Sequence, residues 1–219
     1  MMPLQQATRP EVSAGIAEVV TAKALSALHR PDCPALNWQR QLSPRLRHWL
    51  DTLEPEQLPR ARVILRPEDV PEAASQICEE SNTPDCEQRT MLIEDTTELA
   101  KAFAGLMRTP FLRLRYDVVS TNACRKFHID TVTARLICTY RGPGTQYGFG
   151  GDGETGPSRV FNAATGVPIL LRGRLWPERP DAGLRHRSPP IEGTGQTRLV
   201  LVLDPISNPN AHSEQTFIS

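Results

Sequence analysis

The sequence has no net charge, no closely spaced cysteine pair and no long apolar run, and each absence excludes a class of protein. Its 25 Lys and Arg residues balance 25 Asp and Glu residues, whereas nucleic-acid and membrane-surface binders usually carry a basic face. No apolar stretch approaches the roughly 20 residues that span a bilayer. The N-terminus also lacks the charged-then-apolar pattern of a secretory signal. We therefore expect a protein that binds neither nucleic acid nor membrane.

Cysteine usage indicates the cellular compartment. The five cysteines are an odd number and include no C-x-x-C pair. This pattern argues against a disulfide framework and against a cysteine-based zinc ribbon. Reduced thiols are the simplest explanation, so the sequence predicts a cytoplasmic protein.

The first half of the chain has the apolar spacing of helices. Apolar residues recur at helical intervals over residues 12–28 and again after Asp95, which has capping-box spacing with the glutamate three positions later. Residues 1–108 are therefore predicted to be mainly helical, with short strands at RARVILR and TMLIE. The apolar stripes of this region are expected to pack on the rest of the fold or to form a homodimer contact.

The second half has the texture of short strands separated by Gly/Pro turns. The whole chain is predicted to be α+β, with the helical N-terminal region packed on a double-stranded β-helix, a jelly-roll or cupin-like barrel, over residues 109–205. Residues 206–219 are predicted to be an exposed tail, and the glycine-rich loop 145–160 a mobile lid. The strand-like runs are FLRLRYDVV, KFHIDTVTARLICTY, VPILLRGRLW and RLVLVLD.

A candidate metal site lies within one of these runs. In a strand, alternate side chains share a face, so His128 and Asp130 point the same way while Ile129 packs behind them. A second histidine, His186, follows 58 positions later. Two imidazoles and one carboxylate on one face of an ion leave the opposite positions open, as in non-haem Fe(II) oxygenases. Alternatively, His186 is an exposed loop residue.

Arg198, twelve positions beyond His186, is the candidate anion-binding residue. It opens a run that reads as a buried strand, where a guanidinium costs several kcal/mol unless it is paired. The order H-x-D, H and R resembles that of Fe(II)- and 2-oxoglutarate-dependent oxygenases, in which such an arginine binds the far carboxylate of 2-oxoglutarate. Pairing of Arg198 with Asp204 or Glu192 is the alternative.

The amino-acid sequence of several segments resembles a second family. The run RLRYDVVSTNACRKFHIDTVTARLICTYRGPGTQYG, with LLRGRLWP and HRSPP, resembles the bacterial domain of unknown function 1826 (DUF1826) family over most of residues 65 to 205. The resemblance implies no established activity. It implies a link to zinc homeostasis, because members are often encoded near zinc-responsive genes, and this makes zinc a rival to iron.

Three functional hypotheses follow. The first is an Fe(II)- and 2-oxoglutarate-dependent oxygenase of hydroxylase type, whose substrate is unknown, with Tyr140 at the mouth of the pocket beside Arg198. The second is a non-catalytic zinc-binding or metal-sensing protein on a cupin-like barrel, in which Cys124 would become a fourth ligand. The third is a metal-free jelly roll that binds a sugar or another small ligand.

Overall fold

In the described part of the chain, three α-helices and two β-sheets make up a mixed helix and sheet fold. The computed structural model describes residues 12–13, 16–122, 124–150, 156–177 and 183–209. None of the described helices combines the length and the apolar composition needed to cross a membrane. The helices are α1 (Pro44–Thr52), α2 (Val70–Glu80) and α3 (Glu87–Met107), with 3-10 helices at Ala22–His29, Pro55–Gln57 and Pro67–Asp69. The strands are β1 (Val12–Ser13), β2 (Ile16–Val19), β3 (Ala35–Trp38), β4 (Ala61–Leu65), β5 (Phe111–Val119), β6 (Ala134–Arg141), β7 (Gln146–Phe149), β8 (Phe161–Asn162), β9 (Ile169–Arg172), β10 (Leu184–Arg187) and β11 (Arg198–Ile206).

Eight strands form a large sheet and three form a small one. The order in the large sheet is β1-β2-β3-β9-β6-β11-β5-β4, and that in the small sheet is β10-β7-β8. The pair β2 and β3 is parallel, and the longest antiparallel pairing joins β5 and β11 over nine positions, from Arg198 opposite Val119 to Ile206 opposite Phe111. Of the candidate site residues, Arg198 begins β11 of the large sheet, and His186 lies on β10 of the small sheet.

The large sheet separates two apolar layers. Along β5, Leu112, Leu114 and Tyr116 are buried against the helices, and the intervening residues Arg113 and Arg115 therefore face the other way. A second layer lies between the sheets and contains apolar residues of both, namely Ile137, Tyr147, Ile169, Leu171, Leu184, Val200 and Val202. The side of the large sheet that faces the small sheet thus carries both apolar and charged side chains, and the charged ones lie where the candidate site is expected.

The N-terminal region departs from the sequence prediction in two places. Residues 12–28 are not an α-helix, because β1 and β2 occupy their first part and a 3-10 helix begins at Ala22. Ile16 is buried between the sheets while Ala17 and Val19 pack on the helix side, so a strand buries these apolar residues on both faces. The run TMLIE is not a strand, since α3 begins at Glu87 and includes it.

Other strand predictions are confirmed. RARVILR contains β4, and the four C-terminal runs contain β5, β6, β9 and β11. Strand β4 belongs to the same sheet as these C-terminal strands, while the division of the chain at residue 108 stays a prediction. Part of the predicted lid is the strand β7, and residues 151–155 of it lie outside the described residues. Of the predicted tail, Ile206 ends β11, and residues 210–219 lie outside the described part.

Candidate metal centre

His128, Asp130 and His186 come together at one end of the small sheet. Their possible ligand atoms all lie within 4.8 Å of one another. Nε2 of His186 is 3.0 Å from Oδ2 of Asp130, and Nε2 of His128 is 3.6 Å from Oδ1. Two ligand atoms that each lie about 2.0–2.2 Å from one ion are at most about 4.4 Å apart, so both separations fit a shared ion. The cluster contains no other His, Cys, Asp or Glu ligand from the described ranges.

Backbone hydrogen bonds hold the two histidines opposite each other. The amide of each donates to the carbonyl of the other at 3.0 Å, which forms an isolated antiparallel bridge beside β10. The imidazole rings are 4.5 Å apart between centroids. Asp130 follows where the strand pairing stops, and its carbonyl accepts a hydrogen bond from the Arg174 amide at 2.9 Å. The H-x-D segment is thus anchored on both sides.

A second set of contacts orients the ligands. Nδ1 of His128 lies 2.8 Å from the carbonyl oxygen of Lys126. In the tautomer that donates this hydrogen bond, Nε2 keeps its lone pair for a metal. Nη1 of Arg135 lies 2.6 Å from Oδ1 of Asp130. The same guanidinium donates from Nε and Nη2 to the two carboxylate oxygens of Asp204, at 2.6 and 2.8 Å.

The pKa shifts of Asp130 and His186 favour the protonation states that metal ligands require. Burial opposes ionisation of Asp130, but its interactions with His128 and His186 and the charge of Arg135 outweigh that cost and hold the pKa of the carboxyl well below its usual range. Burial lowers the pKa of His186. The interaction with Asp130 raises the pKa of His128. An ionised carboxylate and a neutral imidazole bind metal without first losing a proton.

The buried oxygen Oδ2 of Asp130 has no hydrogen-bond partner among the described residues. His186 is 3.0 Å away, yet the two groups are not in hydrogen-bonding geometry. A buried carboxylate oxygen without a partner costs free energy. A divalent ion between Asp130, His128 and His186 would satisfy this oxygen, so the residues present fit a metal.

Arg198 lies in the same cavity, which has a volume of about 310 Å³ and is lined by both histidines. Only 1% of its surface is exposed. Its guanidinium donates to Pro143 O at 2.7 Å, Ser188 Oγ at 2.9 Å and Thr139 Oγ1 at 3.3 Å. All three acceptors are neutral, and burial lowers the pKa of Arg198 to about 10.

The alternative pairings of Arg198 are wrong for the described carboxylates. Asp204 is bound by Arg135, and Glu192 is exposed. His186 and Arg198 lie in different sheets, since β10 belongs to the small sheet and β11 to the large one. They face one cavity from opposite sides, and Ser188, two residues after His186, joins the two sheets by accepting from Arg198.

Tyr140 does not face this cavity, so its predicted place at the pocket mouth is wrong. Its ring is fully buried on the helix side of β6. The hydroxyl donates to Asp95 Oδ2 and lies 3.1 Å from Thr96 Oγ1. Because side chains alternate along a strand, Arg135 and Ile137 of β6 face the cavity and Tyr140 cannot.

Arg135 and Arg115 are among the cavity residues that were missed from sequence, and one candidate does not join the cluster. Arg135 and Arg115 both lie inside apolar strand runs, where a charge is costly, and that cost was a signal that could have identified them. Cys124 lines the cavity but does not belong to the ligand cluster.

Comparison with known structures defines the class of this fold. A complex of 2-oxoglutarate with dioxygenase for auxin oxidation 1 from Arabidopsis thaliana is similar over 89% of this chain and 94% of that one, with a TM-score of 0.51 and 12% identity. A Pseudomonas putida prolyl-4-hydroxylase is similar over 86% and 100%, at a TM-score of 0.46 and 10% identity. An oxidoreductase of the 2-oxoglutarate-Fe(II) oxygenase family from Burkholderia pseudomallei is similar over 92% of this chain and 95% of that one, with a TM-score of 0.43 and 14% identity. The first likeness shows a fold shared with a 2-oxoglutarate-binding dioxygenase.

The family is shown by sequence. The profile of a protein family of unknown function, DUF1826, matches residues 20–204. The chain therefore belongs to the DUF1826 family, and the resemblance drawn from its motifs is confirmed. No curated protein matches the sequence.

Proposed function

We propose that the protein is an Fe(II)- and 2-oxoglutarate-dependent oxygenase of hydroxylase type, built on a double-stranded β-helix formed by the two facing sheets. One observation carries the proposal. A cluster of two histidines and a carboxylate shares a cavity with Arg198, a buried guanidinium that has no carboxylate partner among the described residues. A metal that needs an organic acid as cosubstrate explains both features together.

His128, Asp130 and His186 would hold the iron. A set of two histidines and one carboxylate is the facial triad of non-haem Fe(II) oxygenases, and it leaves positions open for other ligands. When bound, the iron would supply the redox chemistry that couples the conversion of 2-oxoglutarate and oxygen to succinate and CO₂ with oxidation of a substrate. Arg135 orients Asp130 through an ion pair, and the Lys126 carbonyl orients His128.

Arg198 would bind the far carboxylate of 2-oxoglutarate. The planar guanidinium matches a carboxylate with two parallel hydrogen bonds. Its neutral acceptors Pro143, Ser188 and Thr139 fix its orientation but provide no ion pair, and Asp117 acts on its charge only from a distance. Taking such a charge out of water costs several kcal/mol, and a bound carboxylate would offset that cost.

The test is anaerobic addition of Fe(II) and 2-oxoglutarate to the purified protein, followed by admission of air. We expect a weak visible charge-transfer band and then formation of succinate. His128→Ala should abolish both and lower the metal content while the protein stays folded. His48→Ala, which removes an exposed imidazole of α1, is the matched control and should behave as the unsubstituted protein.

The same samples separate the oxygenase from the zinc-binding alternative. Elemental analysis of protein from metal-replete cells would find zinc if the site is a metal-storage or sensing site. Bound zinc, with neither band nor succinate after exchange into Fe(II), would contradict the oxygenase. Metal content unchanged by His128→Ala would contradict both and favour a metal-free ligand-binding fold.

A further inference from the structure

The cavity carries more positive charge than the metal centre and 2-oxoglutarate account for. Five arginines line it, against Asp117 as the acidic residue of its described lining. Arg135 is neutralised by Asp130 and Asp204. Arg198 is assigned to 2-oxoglutarate, and Arg187 donates to Gln146 and lies over the Phe127 ring. Arg60 and Arg115 remain.

Of these two arginines, Arg115 has the weaker hydrogen-bond and ion-pair partners among the described residues. Its Nε is buried and has no hydrogen-bond partner among the described residues. Its only described carboxylate contact is Asp117, whose Oδ2 lies 3.8 Å from Nη1, beyond hydrogen-bond distance. The Asp117 side chain is 42% exposed and that of Arg115 only 18%, so water competes for the acid more than for the base. Burial lowers the pKa of Arg115, which is the mark of a charge lacking a close counterion.

Arg60 supports the same side of the cavity. It directly precedes β4, the antiparallel neighbour of β5. One of its guanidinium nitrogens lies 3.4 Å from the Val118 carbonyl, so the group extends along β5. Arg60 is exposed, and Arg115 lies deeper. Together they place two guanidinium groups on one wall, with Arg115 towards the interior.

On this wall, Arg115 is separate from the position of Arg198, and the guanidinium of Arg60 lies between them at Val118, which is opposite Leu199. On β11, Arg198 itself and Val202, the residue opposite Arg115, are four positions apart. This separation corresponds to roughly 13 Å along the strand. One cavity can therefore hold two anions, one at each end of this stretch.

We propose that Arg115, assisted by Arg60, binds an oxyanion group of the oxidised substrate, which is therefore a small molecule bearing a carboxylate or a phosphate. This inference rests on the proposed function. A guanidinium recognises both oxyanions with paired hydrogen bonds. The volume of about 310 Å³ is at the small end for ligand pockets, and 2-oxoglutarate occupies part of it, so the substrate must be small.

The test uses the full-length protein loaded with Mn(II) and saturated with 2-oxoglutarate, so that the Arg198 position is filled. Inorganic phosphate and acetate are titrated separately, and the relaxation of their ³¹P and ¹³C signals gives the affinity and the proximity to the metal. The variants are Arg115→Gln, Arg115→Lys and the control Arg62→Gln. Arg62 lies opposite Arg115 on β4, is exposed and does not line the cavity, so its loss changes the net charge equally.

We expect Arg115→Gln to weaken binding of at least one probe about 10- to 100-fold, as loss of charge-assisted hydrogen bonds does. Arg115→Lys should lose less, and Arg62→Gln should stay within about twofold of the unsubstituted protein, the range expected from a charge screened by solvent. Tighter binding of phosphate would assign a phosphorylated substrate, and tighter binding of acetate a carboxylic acid. The unfolding midpoint of each variant checks that it is folded.

Three results would overturn the inference: no saturable binding of either probe, unchanged affinity in Arg115→Gln, or equal losses in Arg115→Gln and Arg62→Gln. Metal content and 2-oxoglutarate binding are measured on the same samples, and the titrations are repeated on metal-free protein. Failure to bind metal or 2-oxoglutarate, with anion binding still dependent on Arg115, would remove the oxygenase and leave the anion site.

Discussion

At the scale of single residues, Arg135 connects the candidate metal centre to the body of the large sheet. It contacts the carboxylate of Asp130 on one side and that of Asp204 on the other. Asp204 is only 1% exposed and depends on this partner, because Arg113 approaches it only to 4.0 Å. One guanidinium thus pairs with both a structural acid and a candidate ligand.

Replacing this residue should damage both metal binding and stability. We expect Arg135→Leu to weaken metal binding by roughly 10- to 100-fold, because Asp130 loses the group that orients it. The free energy of unfolding should fall by about 3–5 kcal/mol, the usual cost of leaving a buried charge unpaired. Metal titration and urea unfolding measure the two effects. Arg113→Leu is the control, and an equal loss of metal affinity there would contradict the role given to Arg135.

Arg198 should behave in the opposite way for stability. We expect Arg198→Met to weaken 2-oxoglutarate binding by about 10- to 100-fold, since it removes charge-assisted hydrogen bonds. Unfolding of the ligand-free protein should need the same free energy or more, because an uncompensated buried charge is removed. Anaerobic absorbance titration and urea unfolding measure these quantities. A loss of several kcal/mol would instead show that the guanidinium is structural.

At the scale of elements, the site depends on segments that approach each other closely without forming a regular strand pair. Gly173 follows β9, and its amide donates to Thr133 O at 2.9 Å. A Cβ added at Gly173 would lie 2.0 Å from Val132 O and 2.8 Å from Asp130 O. Only glycine allows the backbone after β9 to pass this near to the H-x-D segment.

Gly173→Ala should therefore displace the segment that carries Asp130. We expect weaker metal binding and a free energy of unfolding lower by about 1–3 kcal/mol, the usual cost of overpacking. The control is Gly105→Ala in α3, where a new Cβ meets no atom within 4 Å and should stabilise the helix by up to about 1 kcal/mol. Calorimetric metal titration would refute this account if Gly173→Ala bound as tightly as the unsubstituted protein.

At the scale of the whole molecule, the large sheet has its main apolar core on one side and the candidate site on the other. Its helix side packs the larger apolar cluster, with the fully buried Phe103, Tyr116 and Tyr140. Its other side holds a smaller cluster and the charged cavity. The buried charges on the cavity side destabilise the fold until ligands pair with them. The larger apolar cluster on the helix side contributes the free energy that offsets this cost.

Metal loading should consequently raise the stability of the whole fold. A ligand present at 100 times its dissociation constant adds about 2.7 kcal/mol. For a chain of this length, that gain corresponds to roughly 5–11 °C in Tm. Thermal unfolding with Mn(II), and again with a chelator, measures the difference. His186→Ala should show no such shift, and a shift that survives in this variant would place the metal elsewhere.

The sequence by itself identified the residues that the structure brings together at the candidate site, and most of the strands. Asp130 and Arg198 stand out because their side chains are costly to bury in apolar runs, and His128 because it shares a strand-like spacing with Asp130. His186 is indicated only by its position between the H-x-D segment and Arg198. The runs that form β4, β5, β6, β9 and β11 could be predicted because they are short apolar runs separated by turn-forming residues. Periodicity and burial cost depend on residues that are close together in the chain, so the sequence alone is enough to recognise them.

Only the tertiary structure decided which side of a sheet or which element a residue belongs to. Tyr140 turned towards the helices because the register of β6 with its neighbours set its face. Residues 91–93 joined α3, because α3 buries Leu92 and Leu99 on one side against the sheet, and such packing overrides short-range propensity. His186 and Arg198 line one cavity from two different sheets. The packing of one sheet on another cannot be predicted from a local sequence pattern.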